Sequence, residues 1–462
     1  MKHEPHNQPE HLHFFASLVA SNFAAPESRS LAPWYRARQE RAWEQVQKLG
    51  WPRGSDEAWK YLNVSAVAQQ GFRLPEAAVP APHATVLPAE ILALLPREGA
   101  RLVFVDGVFI PELSTLALLA AQCVIKPWQQ ACNENAAELE PLLNRIDSAV
   151  PGDFFTSLNE VLLSGGFFIA VPAGKKVNEL VHVLHYSRAA RETARGISQQ
   201  LRFMVHLAPG AELTLSSTFV GEAIIGKAIS PPACTNVVWD FICEAGAQGR
   251  IFHQQVENST TFHFAAVRAL EEQNSAFKAA QLSLGAALSR VHLWLNQNGK
   301  AAHSQVDSLM FARASQQSEV KTTMGHNAAH GSSDQYHKAL LADQARGVFH
   351  GCIKISSSAT KTNANLLNKN LLLSAGCEMD TRPQLEIDTD DVKCSHGATV
   401  SQLQAEELFY LQSRGITAAA AQALLSQAYI AEFLQRIEHP AIARLWGDLL
   451  GRFLGKEGGK AP

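Results

Sequence analysis

A cysteine and a histidine with metal-binding chemistry lie two residues apart near residue 395. Cys394 and His396 follow the strand-like run Pro383–Ile387 and the acidic turn Asp388–Asp391. Residues i and i+2 of a strand project to the same side, about 6.5–7 Å apart, so the two side chains would point together. Thiolate and imidazole are ligands that suit iron and iron–sulfur clusters. Lys393 could help to keep the thiol ionised, although it would point to the opposite side.

Two ligands do not enclose a metal ion or a cluster. A site built on Cys394 and His396 would therefore need further ligands from another turn or from another chain. The alternative is that both side chains only pack against their neighbours, and the pattern alone favours that alternative.

Other histidines and carboxylates give weaker signals. His326 and His330 are four residues apart, a spacing that converges on a metal in a helix, but the surrounding Gly, Asn and Ser favour a turn and a structural role. His11 and His13 lie in a polar N-terminal stretch, where metal binding would be incidental. The acidic turn Asp388–Asp391 lacks a second carboxylate group to pair with, so we expect a solvated turn there rather than a glycosidase site.

Motifs of common enzymes are absent from the sequence. There is no G-x-x-x-x-G-K-[ST] phosphate loop, no G-x-S-x-G nucleophile elbow and no H-E-x-x-H zinc motif. We therefore expect a protein that is not itself an enzyme and does not hydrolyse ATP. The competing hypothesis is a β-helix carbohydrate lyase or hydrolase, which would need a carboxylate-lined groove and usually a secretion signal.

Size and composition narrow the class of protein. The chain has 462 residues, 46% of them hydrophobic, and a formal net charge of -3, which allows a large core in two to four domains or one extended domain. The near-zero charge argues against nucleic-acid binding, and the lack of a long apolar run argues against a membrane span. Met1–Glu10 lacks the basic-then-apolar order of a signal peptide, so a cytoplasmic location is expected. The seven scattered cysteines form no C-x-x-C pair and suggest neither a disulfide framework nor a closed zinc site.

Three regions of different pattern follow one another along the chain. Residues 1–100 are typical of helices, with a candidate helix at 29–49 that Gly50 would end and a Pro-rich linker at 74–98. Residues 101–400 contain the strand–turn–strand pattern Arg101–Ile110 and then many short β-rich runs, with little room for long helices.

Three glycines in the β-rich region recur at a constant interval. Gly174, Gly210 and Gly246 are each 36 residues apart, and each precedes a candidate strand. Recurring glycine turns between many short strands favour a solenoid of stacked strands, a β-helix. A β-sandwich is the alternative, although about 300 residues exceed the size of one sandwich.

Residues 401–462 are predicted to be helical. A short helix at 404–412 would end near Gly415, and Thr417 would cap the next helix. Pro440 would begin a last helix with an apolar stripe at Ile442, Leu445, Trp446, Leu449, Leu450 and Phe453. The stripe would pack either on the body of the chain or on another subunit, and the pattern does not decide between them.

Several longer runs together resemble a known family. They are Leu340–Ile353, Lys361–Asn365, Asn368–Ser374, Arg382–Ile387, Asp390–Thr399 and Leu408–Ile416, with Asp56–Tyr61 in the N-terminal region. These runs closely resemble the SufB/SufD family, subunits of the Suf iron–sulfur assembly machinery. The sequence of Asp390–Thr399 is similar to that of D-type members, and the Glu-His-Glu-Ala-Thr type of sequence found in B-type members is missing. The chain departs from the family pattern at Tyr336–Lys338 and Ala359–Lys361.

The resemblance implies a fold, partners and a site. It implies a right-handed parallel β-helix core at 101–400 between helical domains at 1–100 and 401–462. It implies a scaffold that pairs with a B-type subunit, SufB, through the β-helices and carries the ABC-type ATPase SufC on its C-terminal helices. His396 would help to hold a transient iron–sulfur cluster at the interface with the B-type subunit, Cys394 would lie beside it, and the missing ligands, chiefly a cysteine, would come from that subunit. Without its partner, the exposed edge of the solenoid would allow the chain to pair with a second copy.

Overall fold

Two long parallel sheets dominate the computed structural model, which describes residues 10–24, 31–75, 87–188, 196–222 and 232–455. The first nine residues and residues 76–86 of the expected linker lie outside the described residues, as do the side chains of His11 and His13.

The strands are β1 Phe72–Arg73, β2 Ala100–Val105, β3 Val108–Phe109, β4 Val124–Pro127, β5 Gly165–Val171, β6 Val181–Ser187, β7 Gly196–Leu207, β8 Glu212–Gly221, β9 Cys234–Cys243, β10 Gln248–Val256, β11 Phe262–Glu271, β12 Ala276–Ser283, β13 Leu288–Gln297, β14 His303–Ala312, β15 Gln317–His326, β16 Ser332–Leu341, β17 Arg346–Ile355, β18 Thr362–Leu372, β19 Glu378–Ile387 and β20 Val392–Gln402. The helices are α1 Glu10–Ala24, α2 Pro33–Leu49, α3 Ser65–Ala68, α4 Ala89–Leu92, α5 Trp128–Glu134, α6 Ala136–Ala149, α7 Phe154–Val161, α8 Ala405–Ser413, α9 Ala418–Leu434 and α10 Pro440–Gly455.

From β5 onward, odd-numbered and even-numbered strands stack in separate sheets. Sheet I has the order β19-β17-β15-β13-β11-β9-β7-β5-β4, with β1 beside β7, and sheet II has the order β20-β18-β16-β14-β12-β10-β8-β6-β2-β3. From β5 to β20 the chain passes from one sheet to the other at every strand, so two strands make one turn of a parallel β-solenoid of about seven turns. The predicted β-helix architecture is therefore confirmed, and so is the Arg101–Ile110 hairpin, whose arms β2 and β3 pair antiparallel around Asp106 and Gly107.

The interior of the solenoid is a stack of apolar layers. Strands pair in register, so each inward side chain lies over its equivalent in the next turn; Phe203 of β7, for example, lies beside Trp239 of β9 with ring centroids 4.0 Å apart. The outer faces of most strands are also covered, by the N-terminal helices on sheet I and the C-terminal helices on sheet II. This is why the strands are nearly continuous apolar runs without a clear alternation.

One corner of the solenoid repeats the same backbone conformation in seven successive turns. Its members all have φ between 56° and 70° and are Gly174, Gly210, Gly246, Asn274, Ala301, His330 and Lys361. The backbone N–H of each member donates a hydrogen bond of 2.7–3.1 Å to a carbonyl in the next turn. Only the first three members are glycines, so the 36-residue repeat in the sequence marks the beginning of a longer ladder. The last N–H, from Lys361, bonds the carbonyl of Asp391.

The N-terminal side of the solenoid carries helices that the sequence analysis placed only in part. Helix α2 ends at Gly50, which adopts φ 68°, as predicted. Helices α5, α6 and α7, in contrast, lie inside the stretch that the sequence pattern indicated was short of helices. A network of six buried or half-buried charged side chains connects α2, α6 and α7 to the outer face of sheet I: Arg38, Asp147, Glu160, Arg202, Asp240 and Arg268.

The C-terminal helices pack on the outer face of sheet II. Helix α9 begins at Thr417, whose hydroxyl accepts a hydrogen bond from the N–H of Ala420, as predicted. The apolar stripe of α10 is buried against sheet II; the indole of Trp446, for example, lies 6.1 Å from the ring of Phe252. The alternative left open for this stripe is therefore settled in favour of packing on the chain itself.

The corner ladder predicts opposite effects of two substitutions. Gly246→Ala should lower the free energy of unfolding by about 1–2 kcal/mol because a Cβ disfavours the left-handed conformation. Ala301→Gly should raise the free energy of unfolding by up to about 1 kcal/mol. The substitution relieves the same strain, but glycine has more freedom in the unfolded chain, which offsets part of the gain. Urea unfolding measures both. Gly54→Ala is the control, because Gly54 has ordinary φ and open surroundings; equal costs at Gly54 and Gly246 would contradict the strain argument.

Candidate functional site

The C-terminal end of the solenoid is open. Strands β19 and β20 are the last strands of sheets I and II, and each pairs on one side only among the described residues. Their residues are half-buried or exposed throughout, in contrast to the buried strands before them. Two apolar side chains, Ile387 and Val400, are 39% and 46% exposed there. An uncovered pair of edge strands with exposed apolar side chains is a surface that can pair with strands of another chain.

Cys394 and His396 both lie on this open edge. They are in register with Ala364 and Leu366 of β18, which are buried in the interior, so both belong to inward-facing columns of the solenoid. Cys394 is half-buried against the interior, and His396 is exposed. The intervening Ser395 faces outward, where its hydroxyl donates 2.8 Å to the side-chain carbonyl of Asn365. The strand conformation predicted for the pair is confirmed.

The electrostatics of Cys394 differ from the sequence interpretation. Burial raises the pKa of the Cys394 thiol, and a hydrogen bond from the backbone of Ala364 offsets only part of that effect. Lys393 lies on the other face and does not contribute. The thiol is therefore protonated near neutral pH and would lose its proton on binding a metal.

The other predicted candidates do not assemble into a metal site. His326 is buried at the end of β15 with Nε2 2.9 Å from the hydroxyl of Ser333, and His330 is a member of the corner ladder. Both have structural surroundings, as expected. In the part of the chain that the structure describes, no group of three or more His, Cys, Asp or Glu side chains is arranged to hold a metal ion. Cys394 and His396 thus have no further His, Cys, Asp or Glu arranged with them to hold a metal ion among the described residues.

A segment from the N-terminal region reaches the last turns of the solenoid. The guanidinium of Arg290 lies 3.6 Å from the ring of Trp59 and donates 3.1 Å to the carbonyl of Ala58. Glu57 forms an ion pair with Arg382 of the edge strand β19. In the sequence, the segment Asp56–Tyr61 is marked only by its family resemblance, because a contact between residues more than 200 positions apart leaves no local pattern.

Helices α8 and α9 present a second uncovered surface. Phe409 and Tyr410 of α8 are 72% and 58% exposed, and Leu424 of α9 is 47% exposed. The moderate apolar pattern of these helices gave no reason to expect exposed aromatic side chains. Large exposed apolar groups on adjacent helices typically mark a protein–protein contact.

Comparison with known proteins identifies the family. The "SUF system FeS cluster assembly, SufBD core domain" matches residues 190–429, and the "SufBD protein N-terminal region" matches residues 15–183. The chain belongs to the SufBD family. The SufB/SufD resemblance seen in the sequence is therefore confirmed, and the protein is a SufD-like component of iron–sulfur cluster assembly.

Three relatives show how far the similarity extends. An "Iron-sulfur cluster assembly SufBD family protein" from Synechocystis is 30% identical over 86% of this chain and 86% of its own length. The "Iron-sulfur cluster assembly protein SufD" of Escherichia coli is 29% identical over 85% of this chain and 87% of its own length. "Protein ABCI7, chloroplastic" of Arabidopsis thaliana is 26% identical over 92% of this chain and 87% of its own length.

The described helices include none with both the length and the apolar character that a membrane crossing requires.

Thiol accessibility provides a direct check on the site. Of the seven cysteines, six are buried and Cys394 is half-buried. We expect iodoacetamide to modify Cys394 first in the dilute native chain, at a rate that keeps rising above pH 9 because the thiol pKa is raised. Mass spectrometry of peptides at several pH values measures this, with Cys394→Ser as the control. Earlier modification of another cysteine, or a rate that levels off below pH 8, would contradict the described environment.

Proposed function

We propose that this SufBD protein is a non-catalytic scaffold that completes an iron–sulfur cluster assembly site with a B-type subunit and carries an ABC-type ATPase on its C-terminal helices. The observation that carries the proposal is the incomplete ligand pair, Cys394 and His396, on the open end of the solenoid. In this view the chain divides into a helical part to about residue 100, the β-helix core to about residue 400, and the helical C-terminal part.

Pairing through the open end follows from its unpaired backbone. Among the described residues, β19 and β20 each have one edge without a pairing strand, and their N–H and C=O groups can be extended by strands of a partner through β-addition. Ile387 and Val400 give that contact apolar area. A B-type subunit with its own solenoid would present matching edges, and a second copy of this chain would be the substitute when that subunit is missing.

Cluster binding at this interface follows from the ligands. His396 is exposed on the face that a partner would cover. The Cys394 thiol lies at the preceding inward-facing position of β20. A cluster needs about four ligands, chiefly thiolates, so the partner would supply the remainder. Iron and sulfide would be cargo held during assembly, since this chain alone provides too few ligands to retain them.

An ATPase partner fits the exposed surface of α8 and α9. Phe409, Tyr410 and Leu424 offer aromatic and aliphatic anchors of the kind found at the centre of protein interfaces. The sequence has no phosphate loop, so ATP hydrolysis would belong to the partner.

Ion pairs connect α9 to β16 and β18, the strands of sheet II that precede the edge strand β20. Glu432 of α9 accepts from Lys338 at 2.6 Å and from Lys369 at 3.0 Å, and Lys338 is almost fully buried. These hydrogen bonds hold the pKa of Glu432 down at about 2. Tyr429 of α9 donates 2.6 Å to the carbonyl of Lys369. Because Lys369 of β18 lies in register with Thr399 of the edge strand β20, a movement of α9 would reach the strand that carries His396.

The ligand role of His396 is tested by anaerobic reconstitution of the complex with iron and sulfide. We expect His396→Ala to reduce cluster yield severalfold, because one ligand is lost, while the complex stays intact on gel filtration. Lys393→Ala is the matched control, a nearby exposed residue on the opposite face of the same strand. Unchanged yield with an intact complex would remove His396 from the ligand set.

The connection through Glu432 is tested with one substitution in α9 and a control substitution in the connection between α9 and α10. Glu432→Gln should cost about 1–2 kcal/mol, since it leaves buried Lys338 without a carboxylate although Glu432 itself is half exposed and screened. It should also speed amide hydrogen exchange in β18 and β20. Glu438→Gln breaks an exposed pair with Lys278 of β12, far from the edge, and should cost about 0–1 kcal/mol without changing exchange in β20. Equal exchange in the two variants would contradict the connection.

A further inference from the structure

Three polar side chains form one column inside the solenoid. Glu271 of β11, Gln297 of β13 and His326 of β15 occupy the same register position in successive turns of sheet I. All three are fully buried. The column lies next to the corner ladder and takes no part in the function proposed above.

Serines of sheet II fix the orientation of each side chain in the column. The hydroxyl of Ser304 donates 2.7 Å to Oε1 of Glu271 and accepts 2.7 Å from Nε2 of Gln297, which also donates 2.8 Å to the carbonyl of Ser332. Nε2 of His326 lies 2.9 Å from the hydroxyl of Ser333.

One polar atom of each side chain remains without a partner. These atoms are Glu271 Oε2, Gln297 Oε1 and His326 Nδ1, none of which meets a hydrogen-bond partner among the described residues. A buried polar atom without a partner costs about 1–3 kcal/mol, so three in one column call for an explanation.

The distance between neighbouring strands indicates what joins the three side chains. Neighbouring strands are about 4.7–4.9 Å apart, and the three unpartnered atoms form no direct hydrogen bond with one another. Two hydrogen bonds of about 2.8 Å that meet at one oxygen at a roughly tetrahedral angle span about 4.6 Å. A water molecule therefore fits between equivalent positions of adjacent strands.

Gly331 packs closely against two of the three unpartnered atoms. A Cβ at this position would lie 2.5 Å from Gln297 Oε1 and 2.9 Å from His326 Nδ1. Any side chain here would therefore press on these two atoms, and the column needs glycine at this position.

The charge state of the column favours a neutral ligand. Burial raises the pKa of Glu271 to about 8 and lowers the pKa of His326 to about 4, so both groups are uncharged at neutral pH. A column without net charge gives neither a cation nor an anion a counter-charge.

We infer that this column is a buried water-binding site that holds two molecules, one between Glu271 and Gln297 and one between Gln297 and His326. The first water accepts the carboxyl proton of Glu271 as a hydrogen bond and donates to Gln297 Oε1. The second donates to the other lone pair of Gln297 Oε1 and to His326 Nδ1, while His326 Nε2–H donates to Ser333. Every unpartnered atom of the column is then satisfied, as buried waters with two to four partners require.

The site lies behind the open end of the solenoid. Ser333 is in register with Ala364, and Ala364 with Cys394, so the water-bound layer is two strands from the thiol. The three side chains of the column are all buried and do not contact Cys394, so the water site is independent of the role of that thiol.

A high-resolution crystal structure of the full chain tests the inference. We expect two ordered waters within hydrogen-bond distance of Glu271 Oε2, Gln297 Oε1 and His326 Nδ1. A dry column, direct bonds among the three side chains, or density for a metal ion would overturn it.

Two variants extend the test beyond the crystal. Glu271→Gln should keep both waters and the unfolding temperature at pH 7, because an amide replaces a neutral acid, and it should remove one protonated-carboxyl band from the infrared spectrum. Gln297→Met should lose both waters and lower the unfolding temperature. A marked loss of stability in Glu271→Gln would show that the carboxyl is ionised, which would overturn the neutral site even if Gln297→Met fails to fold.

Discussion

The in-register stacking of parallel strands is the constraint on which the rest of the structure depends. Each backbone N–H and C=O of one turn needs a partner in the next turn, and the corner ladder continues this pairing through the bends from Gly174 to Lys361. Register then determines which side chains share a column. It places Phe203 beside Trp239 in the core, His326 beside Gln297 in the polar column, and Cys394 over Ala364 at the edge.

A solenoid built in this way can satisfy its backbone everywhere except at its ends. The first turns are closed by the antiparallel partners β3 and β4 and by helices, whereas β19 and β20 have open edges among the described residues. The proposed ligands Cys394 and His396 lie on this open end. In the proposed function, the open backbone edge and the incomplete ligand set lie in one place, which is well suited to be shared with another chain.

Much of this architecture could be predicted from the sequence, and the misses have physical causes. The glycine interval revealed the solenoid because Gly174, Gly210 and Gly246 all require left-handed φ; the later turns use Asn274 or Ala301, which do not stand out in a sequence. Helices α5 to α7 were missed because their apolar residues adjoin strands on both sides. The i, i+2 geometry of Cys394 and His396 was predicted correctly. The raised thiol pKa was not, since it arises from packing against an earlier turn. The ion pairs of Glu432 and the polar column depend on contacts between residues far apart in sequence, which leave no local pattern.

The central claim is that this chain holds half of a shared cluster site. The most direct measurement is the iron and acid-labile sulfide content of the chain after anaerobic reconstitution, first alone and then together with a B-type subunit and its ATPase. The account predicts no retained cluster on the chain alone and a stable cluster in the complex. Stoichiometric iron and sulfide on the isolated chain, or none in an intact complex, would contradict it.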